Sequence, residues 1–264
     1  MCRTVGDDPP LVLVIGGHDP SGGAGLQADI ETLVAHGCRA VSVVTALTTQ
    51  NTCGVVEIHV QPAAQVEKQC RLVLEESPVT IVKLGLLGSA EIAYAVANLL
   101  DAFPNLQAVL DPVLVAGHDG KSLADTALRT AILEQLCQHC ILMTPNSPEA
   151  RILGNHGDLG RCADNLILQG CAAVLITGTH EVNRVVVNRL YGLAGLIQEY
   201  QWPRLPGNYH GSGCTLTSAI AARLSLGDSL TTAIERAQDY TWKALKSAHR
   251  SGKCQLIPNR FYAN

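Results

Sequence analysis

Cys214 directly follows His210-Gly211-Ser212-Gly213 and opens a helical pattern whose apolar stripe is Leu216, Ala219, Ile220 and Leu224. A glycine-rich lead into a buried helix leaves backbone N–H groups unpaired at the positive end of the helix dipole, an arrangement suited to holding an anionic group such as a phosphate in transfer. A cysteine at such a terminus commonly has a lowered pKa, so the sequence marks Cys214 as a general base, against the plainer reading that one of ten cysteines simply packs there. Two acidic positions add to this. Asp111 follows Val109-Leu110 and precedes Pro112, at the mouth of a strand, as a carboxylate of a phosphoryl-transfer site or a solvated loop residue. In Thr144-Pro145-Asn146-Ser147-Pro148-Glu149, Asn146 and Glu149 lie three apart on one face of a first helical turn. Such a pair supplies part of a magnesium site, since Mg²⁺ keeps several waters and takes one or two carboxylates; it equally describes an N-cap and its partner. Near the amino terminus, the segment from Gly16 to Gly25 leads to Asp29. Its glycines allow close backbone approach to a ligand, but no Gly-Lys-Ser/Thr follows, so it is not a Walker A loop.

The elements that must position these residues follow from the pattern of apolar runs. Leu11–Ile15, Val41–Leu47, Ile81–Leu84, Val109–Leu110, Ile141–Thr144 and Val174–Ile176 are short and β-branched, and they alternate with stretches of helical period. The predicted helices are Gly25–His36, Ala63–Glu75, Ala90–Leu100, Asp125–Gln138, Ser147–Leu153, Arg161–Gln169, Cys214–Leu226 and Ser229–His249. Runs apolar on both faces suit central strands covered by helices on both sides, and the polar-interrupted segment between Ile176 and Pro206 suits an antiparallel edge. The expectation is an α/β fold with a mostly parallel central sheet, built as one domain over residues 1–264. In such sheets ligands sit beyond the carboxyl ends of the strands, where the polar segments above fall.

Composition narrows the partners. With 47% hydrophobic residues, a net charge of −4 and no run of Lys or Arg, nothing provides an electrostatic footprint for nucleic acid or anionic lipid. No stretch approaches the roughly 20 apolar residues of a membrane span, no secretory signal is evident, and a cytoplasmic location is expected. The ten cysteines are scattered through a long chain and are expected to be mostly free thiols. Cys137 and Cys140 form a lone CxxC without a second pair, better read as packing residues than as a zinc site. The stretch from Lys253 to Asn264 reads as a loosely held tail without chemistry.

Taken together, the segments GGHDPSGGAGLQADI (16–30), TALTTQNT (45–52), VKLGLLGS (82–89), LDPVL (110–114), TPNSPEA (144–150), LITGTH (175–180) and HGSGCT (210–215) resemble the hydroxymethylpyrimidine and phosphomethylpyrimidine kinases of thiamin biosynthesis, within the ribokinase-like superfamily. The resemblance runs almost end to end. It implies a ribokinase-like fold, ATP and Mg²⁺ as cofactors, a small pyrimidine substrate and a homodimer. It implies that Asp29 and Gln50 bind the pyrimidine, with Gly17, Thr48, Leu86 and Val113 shaping the pocket. Asn146 and Glu149 match an NxxE metal motif, Asp111 joins the magnesium and phosphate region, and Thr177 and Gly178 lie near the nucleotide. Gly211, Ser212 and Gly213 match the anion hole, and Cys214 takes the base position.

Two departures stand out. Thr177-Gly178-Thr179-His180 replaces a Lys-Gly-Gly-His, so one positive charge is either absent from the nucleotide phosphates or supplied from elsewhere. Leu86 stands where methionine is common, conserving volume but not sulfur contacts. The expected chemistry is in-line transfer of the γ-phosphoryl group of ATP to a hydroxymethyl group, once or twice. The rivals are a pyridoxal kinase of the same fold and a pyrimidine-binding sensor without catalysis, which would have no use for a base at Cys214.

Overall fold

The computed structural model describes residues 8–115 and 123–262. Nine strands form one sheet in the order β3-β2-β1-β4-β5-β6-β7-β8-β9. Its centre is parallel: β1 (Leu11–His18), β2 (Arg39–Asn51), β4 (Ile81–Leu84), β5 (Gln107–Leu110), β6 (Cys140–Met143) and β7 (Ala173–Ile176). Strand residues alternate between the two faces, and the two cores follow that alternation. Leu13 and Ile15 pack with α2 (Ala63–Glu76), α3 (Ala90–Ala102), α4 (Thr126–Ala131), α5 (Ser147–Gly154) and α6 (Leu159–Leu168). Val12 and Val14 pack on the opposite face with α1 (Gly25–Ala35), α7 (Ser212–Ser225) and α8 (Leu230–Lys246). The expected α/β architecture is therefore present, with helices on both faces.

The antiparallel edge expected after Ile176 is present as β8 (Val185–Gly192) and β9 (Gly195–Pro203). A second antiparallel strand, β3 (Gly54–Val60), was not expected from the sequence, and β2 runs four residues past the predicted Leu47 to Asn51. The reason is exposure: beyond Leu47 the β2–β3 hairpin stands largely in solvent, so its polar residues carry no buried periodicity to read. Where β2 leaves the sheet, its register against β1 slips between Gly16 and Gly17, and the extra residue, Thr45, donates its hydroxyl to the carbonyl of Leu86. That slip turns the hairpin over the carboxyl end of β1.

The carboxyl-terminal segment is not loose, contrary to expectation. Gln255 and Arg260 are buried, Gln255 N–H donates to the Thr52 carbonyl, and His210 N–H donates to the Leu256 carbonyl. Cys254 forms a disulfide with Cys53 at the hairpin tip, 201 residues away in sequence. Periodicity did not reveal this segment because it is held by isolated side chains and bridges rather than by a helix or strand. The other cysteines among the described residues are free, in line with expectation, and Cys137 and Cys140 are buried in the apolar core, where burial pushes the Cys137 thiol up to about 12. No helix among the described residues is long and apolar enough to cross a membrane.

Candidate active site

The carboxyl ends of β1, β4, β5, β6 and β7 open together onto a cavity of about 460 Å³. All but one of the residues the sequence marked for the site line it: Gly17, Asp29, Thr48, Gln50, Leu86, Val113, Asp111, Asn146, Glu149, Thr177 and the 211–214 turn; the exception, Gly178, donates its N–H at 3.0 Å to Oδ1 of Asn188, which does line it.

Gly211 caps α7 in the left-handed region at φ 77°, with no side chain capping the helix amides. The N-terminal N–H groups of α7 therefore remain available to an anion. A Cβ on Gly211 would lie 2.0 Å from the Gly23 carbonyl oxygen, so this loop and the β1–α1 loop are in backbone contact. Gly211→Ala is expected to cost about 2 kcal/mol of stability from the φ alone, and more if the loops separate, as measured by denaturant unfolding. Asp19 joins the same loops from the other side. Its carboxylate accepts from Ser21 N–H, Ser21 Oγ and Ala24 N–H, and meets His210 Nε2 at 2.8 Å. Burial acts to raise the Asp19 pKa, but the His210 and Ser21 bonds outweigh it and hold the group below its ordinary value.

Cys214 is half-buried in the first turn of α7 and lines the cavity. The sequence suggested that the helix dipole would favour its thiolate; the structure reverses this. Burial is the largest influence, Asp111 and Asp29 add to it, and Lys83 opposes them, leaving the thiol pushed up to about 12. Asp111 lies beside Cys214 on the same cavity wall, and its own carboxyl is pushed up to about 6, chiefly by burial and against the pull of Lys83.

Asn146 and Glu149 form the capping box that begins α5: Asn146 Oδ1 accepts from Glu149 N–H at 2.9 Å, and Glu149 Oε2 accepts from Asn146 N–H at 3.0 Å. Glu149 Oε1 also accepts from Leu114 N–H at 3.2 Å. The capping role is thus real, yet it does not use up the carboxylate. Burial first and Asp111 second push Glu149 up to about 8. Two buried carboxylates at the wall of one cavity, one raising the proton affinity of the other, suit a divalent cation. The described residues contain no cluster of three or more metal-ligating side chains, and Mg²⁺, which retains waters, needs none.

Lys83 is the main site residue that the sequence reading left without a role. It pairs in register with Val14 and Val109, so it points to the face of α1 and α7. There its ammonium meets Asp29 Oδ1 at 2.9 Å and Oδ2 at 3.0 Å, and Ser218 donates to Asp29 Oδ1 at 2.7 Å. Burial works to lower the Lys83 pKa, but Asp29, Cys214 and Asp111 outweigh it and raise it. Asp29 thus lines the cavity floor with its carboxylate already held inside the protein, whereas the resemblance had it binding the ring. The signal was present: a lone lysine inside the strand Ile81-Val82-Lys83-Leu84 demands a buried partner.

The remaining residues fall on opposite sides. Thr48 donates to the His18 carbonyl at 2.9 Å, which sets the hairpin and Gln50 above Gly17 and Leu86. Thr177 N–H donates to the Pro145 carbonyl, joining the ends of β6 and β7. Gly178 packs so closely on β8 that a Cβ there would lie 2.1 Å from the Val187 carbonyl oxygen. Arg204 donates to the carbonyls of Thr179, Glu181 and Asn183, bringing a guanidinium to the loop that lacks the lysine.

The model of the phosphomethylpyrimidine kinase family matches residues 19–259. The chain belongs to that family. Among its relatives in the family is the hydroxymethylpyrimidine/phosphomethylpyrimidine kinase of Streptomyces coelicolor, 38% identical over 92% of this chain and 91% of that one. The thiamine biosynthesis bifunctional protein ThiED of Geobacter sulfurreducens is 40% identical over 92% of this chain, which spans 50% of that protein's length. Among solved structures, a phosphomethylpyrimidine kinase from Clostridium difficile aligns with a TM-score of 0.78 at 31% identity, over 89% of this chain and 99% of that one. Pyridoxal kinase from Staphylococcus aureus in complex with pyridoxal aligns with a TM-score of 0.87 at 25% identity, over 97% and 95%. The same enzyme has been solved with AMP-PCP and pyridoxal together, with a TM-score of 0.85 to this chain.

Proposed function

We propose that this family member transfers the γ-phosphoryl group of ATP to the hydroxymethyl group of 4-amino-5-hydroxymethyl-2-methylpyrimidine and then to the resulting monophosphate, acting as one domain in the cytoplasm. The observation that carries the reading is the meeting of Cys214, the uncapped start of α7 and the Asp111–Glu149 pair at one cavity. In this arrangement Gln50 and Thr48 face the ring from the hairpin, and Asn146, Thr177 and Gly178 border the nucleotide side. The amides of 211–214 draw charge from the transferring group, which is where most of the catalysis of phosphoryl transfer lies. Cys214 receives the hydroxymethyl proton. Burial keeps the thiol protonated at rest, so its own proton must first leave to solvent, a loss that Lys83 favours, before the sulfur can accept the substrate's. Asp111 and Glu149 would hold Mg²⁺, which when bound neutralises phosphate charge.

The acidic pair carries a pH dependence. Glu149 is raised from an ordinary 4.5 to about 8, so its protonated form is the one favoured by folding. Stability from this group is full below pH 4.5 and is lost as pH rises through about 8. Melting temperature without divalent cation is expected to fall over that window, with added Mg²⁺ restoring it most at the alkaline end. Calorimetry in two buffers should register proton release on binding; no release would remove Glu149 as a ligand.

The assignment is tested by coupled ATP turnover against the hydroxymethylpyrimidine, its monophosphate and pyridoxal. Turnover of the first two supports the reading. Preference for pyridoxal, favoured by the likeness to the Staphylococcus aureus enzyme, would move the chain to vitamin B6 salvage. Binding without turnover of any of them would make it a sensor. We also assign a homodimer; sedimentation as a monomer at micromolar concentration would exclude it.

A further inference from the structure

Arg260 lies in the carboxyl-terminal segment, is 2% exposed, and sits behind the cavity wall rather than in it. Its Nη1 donates to Glu31 Oε2 at 2.9 Å and to the Gly22 carbonyl at 3.4 Å, and its Nη2 donates to the Gly23 carbonyl. Its Nε donates to Thr215 Oγ1 at 3.1 Å. That hydroxyl in turn donates to the Gly211 carbonyl at 2.8 Å. The backbone around Arg260 is itself tied down, with Tyr240 donating its hydroxyl to the Arg260 carbonyl at 2.7 Å.

One guanidinium therefore bonds both glycine-rich loops of the site, which are separated by about 190 residues in sequence and touch where Gly211 meets Gly23. The planar fork of arginine can serve several acceptors at once, which an ammonium cannot do with the same geometry. A buried cation needs such satisfaction, and Glu31 supplies the countercharge. Gly211 has no side chain of its own to fix its left-handed conformation. The chain Arg260–Thr215–Gly211 does that from outside the cavity.

We infer that Arg260 is a positioning residue for phosphoryl transfer: through Thr215 and the Gly22–Gly23 carbonyls it sets the 211–214 amides against the transferring group. The inference rests on the proposed kinase reading. Displacing preorganised donors by a fraction of an ångström weakens binding of the transition state more than that of the ground state.

The test compares wild type with Arg260→Gln, Arg260→Lys, Thr215→Val and the Arg260→Gln/Thr215→Val double variant, each normalised to its folded fraction. Arg260→Gln is expected to lower kcat roughly 10–100-fold, with KM for ATP and for the pyrimidine changed less than about two-fold. Inhibition by ADP with aluminium fluoride, a mimic of the phosphoryl group in transfer, should weaken by the same factor while ADP alone binds as before. Arg260→Lys should recover melting temperature through Glu31 but not kcat. Thr215→Val should reproduce the kcat loss, and the double variant should add little to either single one. If Arg260→Gln does not fold, Thr215→Val and Arg260→Lys decide. Wild-type kcat in the folded variants, or equal weakening of ADP and of ADP with aluminium fluoride, overturns the inference and leaves Arg260 a purely structural residue. A wild-type protein that turns over no ring alcohol overturns the kinase reading instead, and this inference with it.

Discussion

Cys214→Ala is expected to lower kcat by roughly 10²–10⁴-fold, the range typical for loss of a positioned acid–base group, while leaving affinity for both substrates nearly unchanged. The half-buried thiol lines the cavity at the start of α7, near Asp111 and with Lys83 acting on its charge, and it can take the substrate's proton only once its own has left. Cys214→Ser separates two ways in which the residue can act. If a bond to Asp111 is all that is needed, serine retains most of the rate; if sulfur must carry negative charge during transfer, serine falls nearly as far as alanine, because a hydroxyl is a far weaker acid than a thiol. Rates are best read in single-turnover experiments with saturating ATP. Alanine turnover within about three-fold of wild type would take Cys214 out of the proton path and leave the 211–214 amides and the acidic pair as the working parts.

Lys83→Met should lower stability by about 3–5 kcal/mol, because it strands the Asp29 carboxylate in a site with no exposure. For a chain of this length that corresponds to a fall in melting temperature of roughly 6–20 °C. The loss belongs mostly to the unpaired charge. The double variant Lys83→Met/Asp29→Leu should therefore recover much of the stability, since well-packed apolar pairs replace buried ion pairs at little cost. Activity should not recover with it, because Lys83 also bears on Cys214 and Asp111. A single variant as stable as wild type would mean that Asp29 finds another partner or takes up a proton. Full activity in a stable double variant would confine Lys83 to the fold.

Much of the site was legible because its residues announce themselves locally. Glycine runs after apolar strands, a cysteine at a helix start and an Asn-x-x-Glu at another are short-range patterns, and in a parallel sheet the strand ends gather them on one edge. The parts that were not legible depend on partners far away in sequence. Lys83 acquires its role from Asp29 and Ser218, on two helices that only the packed sheet brings to it. The Cys214 pKa was read from its own helix, yet burial and the neighbouring carboxylates decide it. The β2–β3 hairpin escaped notice because an exposed ribbon has no apolar face to impose alternation.

The sequence by itself determined the parallel α/β class, the family, and a first set of residues facing the cavity, since strand periodicity and loop chemistry are properties of neighbours in the chain. Only the tertiary structure decided how those residues are charged and held. It closed the carboxyl-terminal segment onto the hairpin through Cys53–Cys254 and drove Arg260 between two loops. It also buried Asp111, Glu149 and Lys83 together and set Cys214 beside them on one cavity wall. Burial and long-range pairing set those energies, and neither is a property of any one segment.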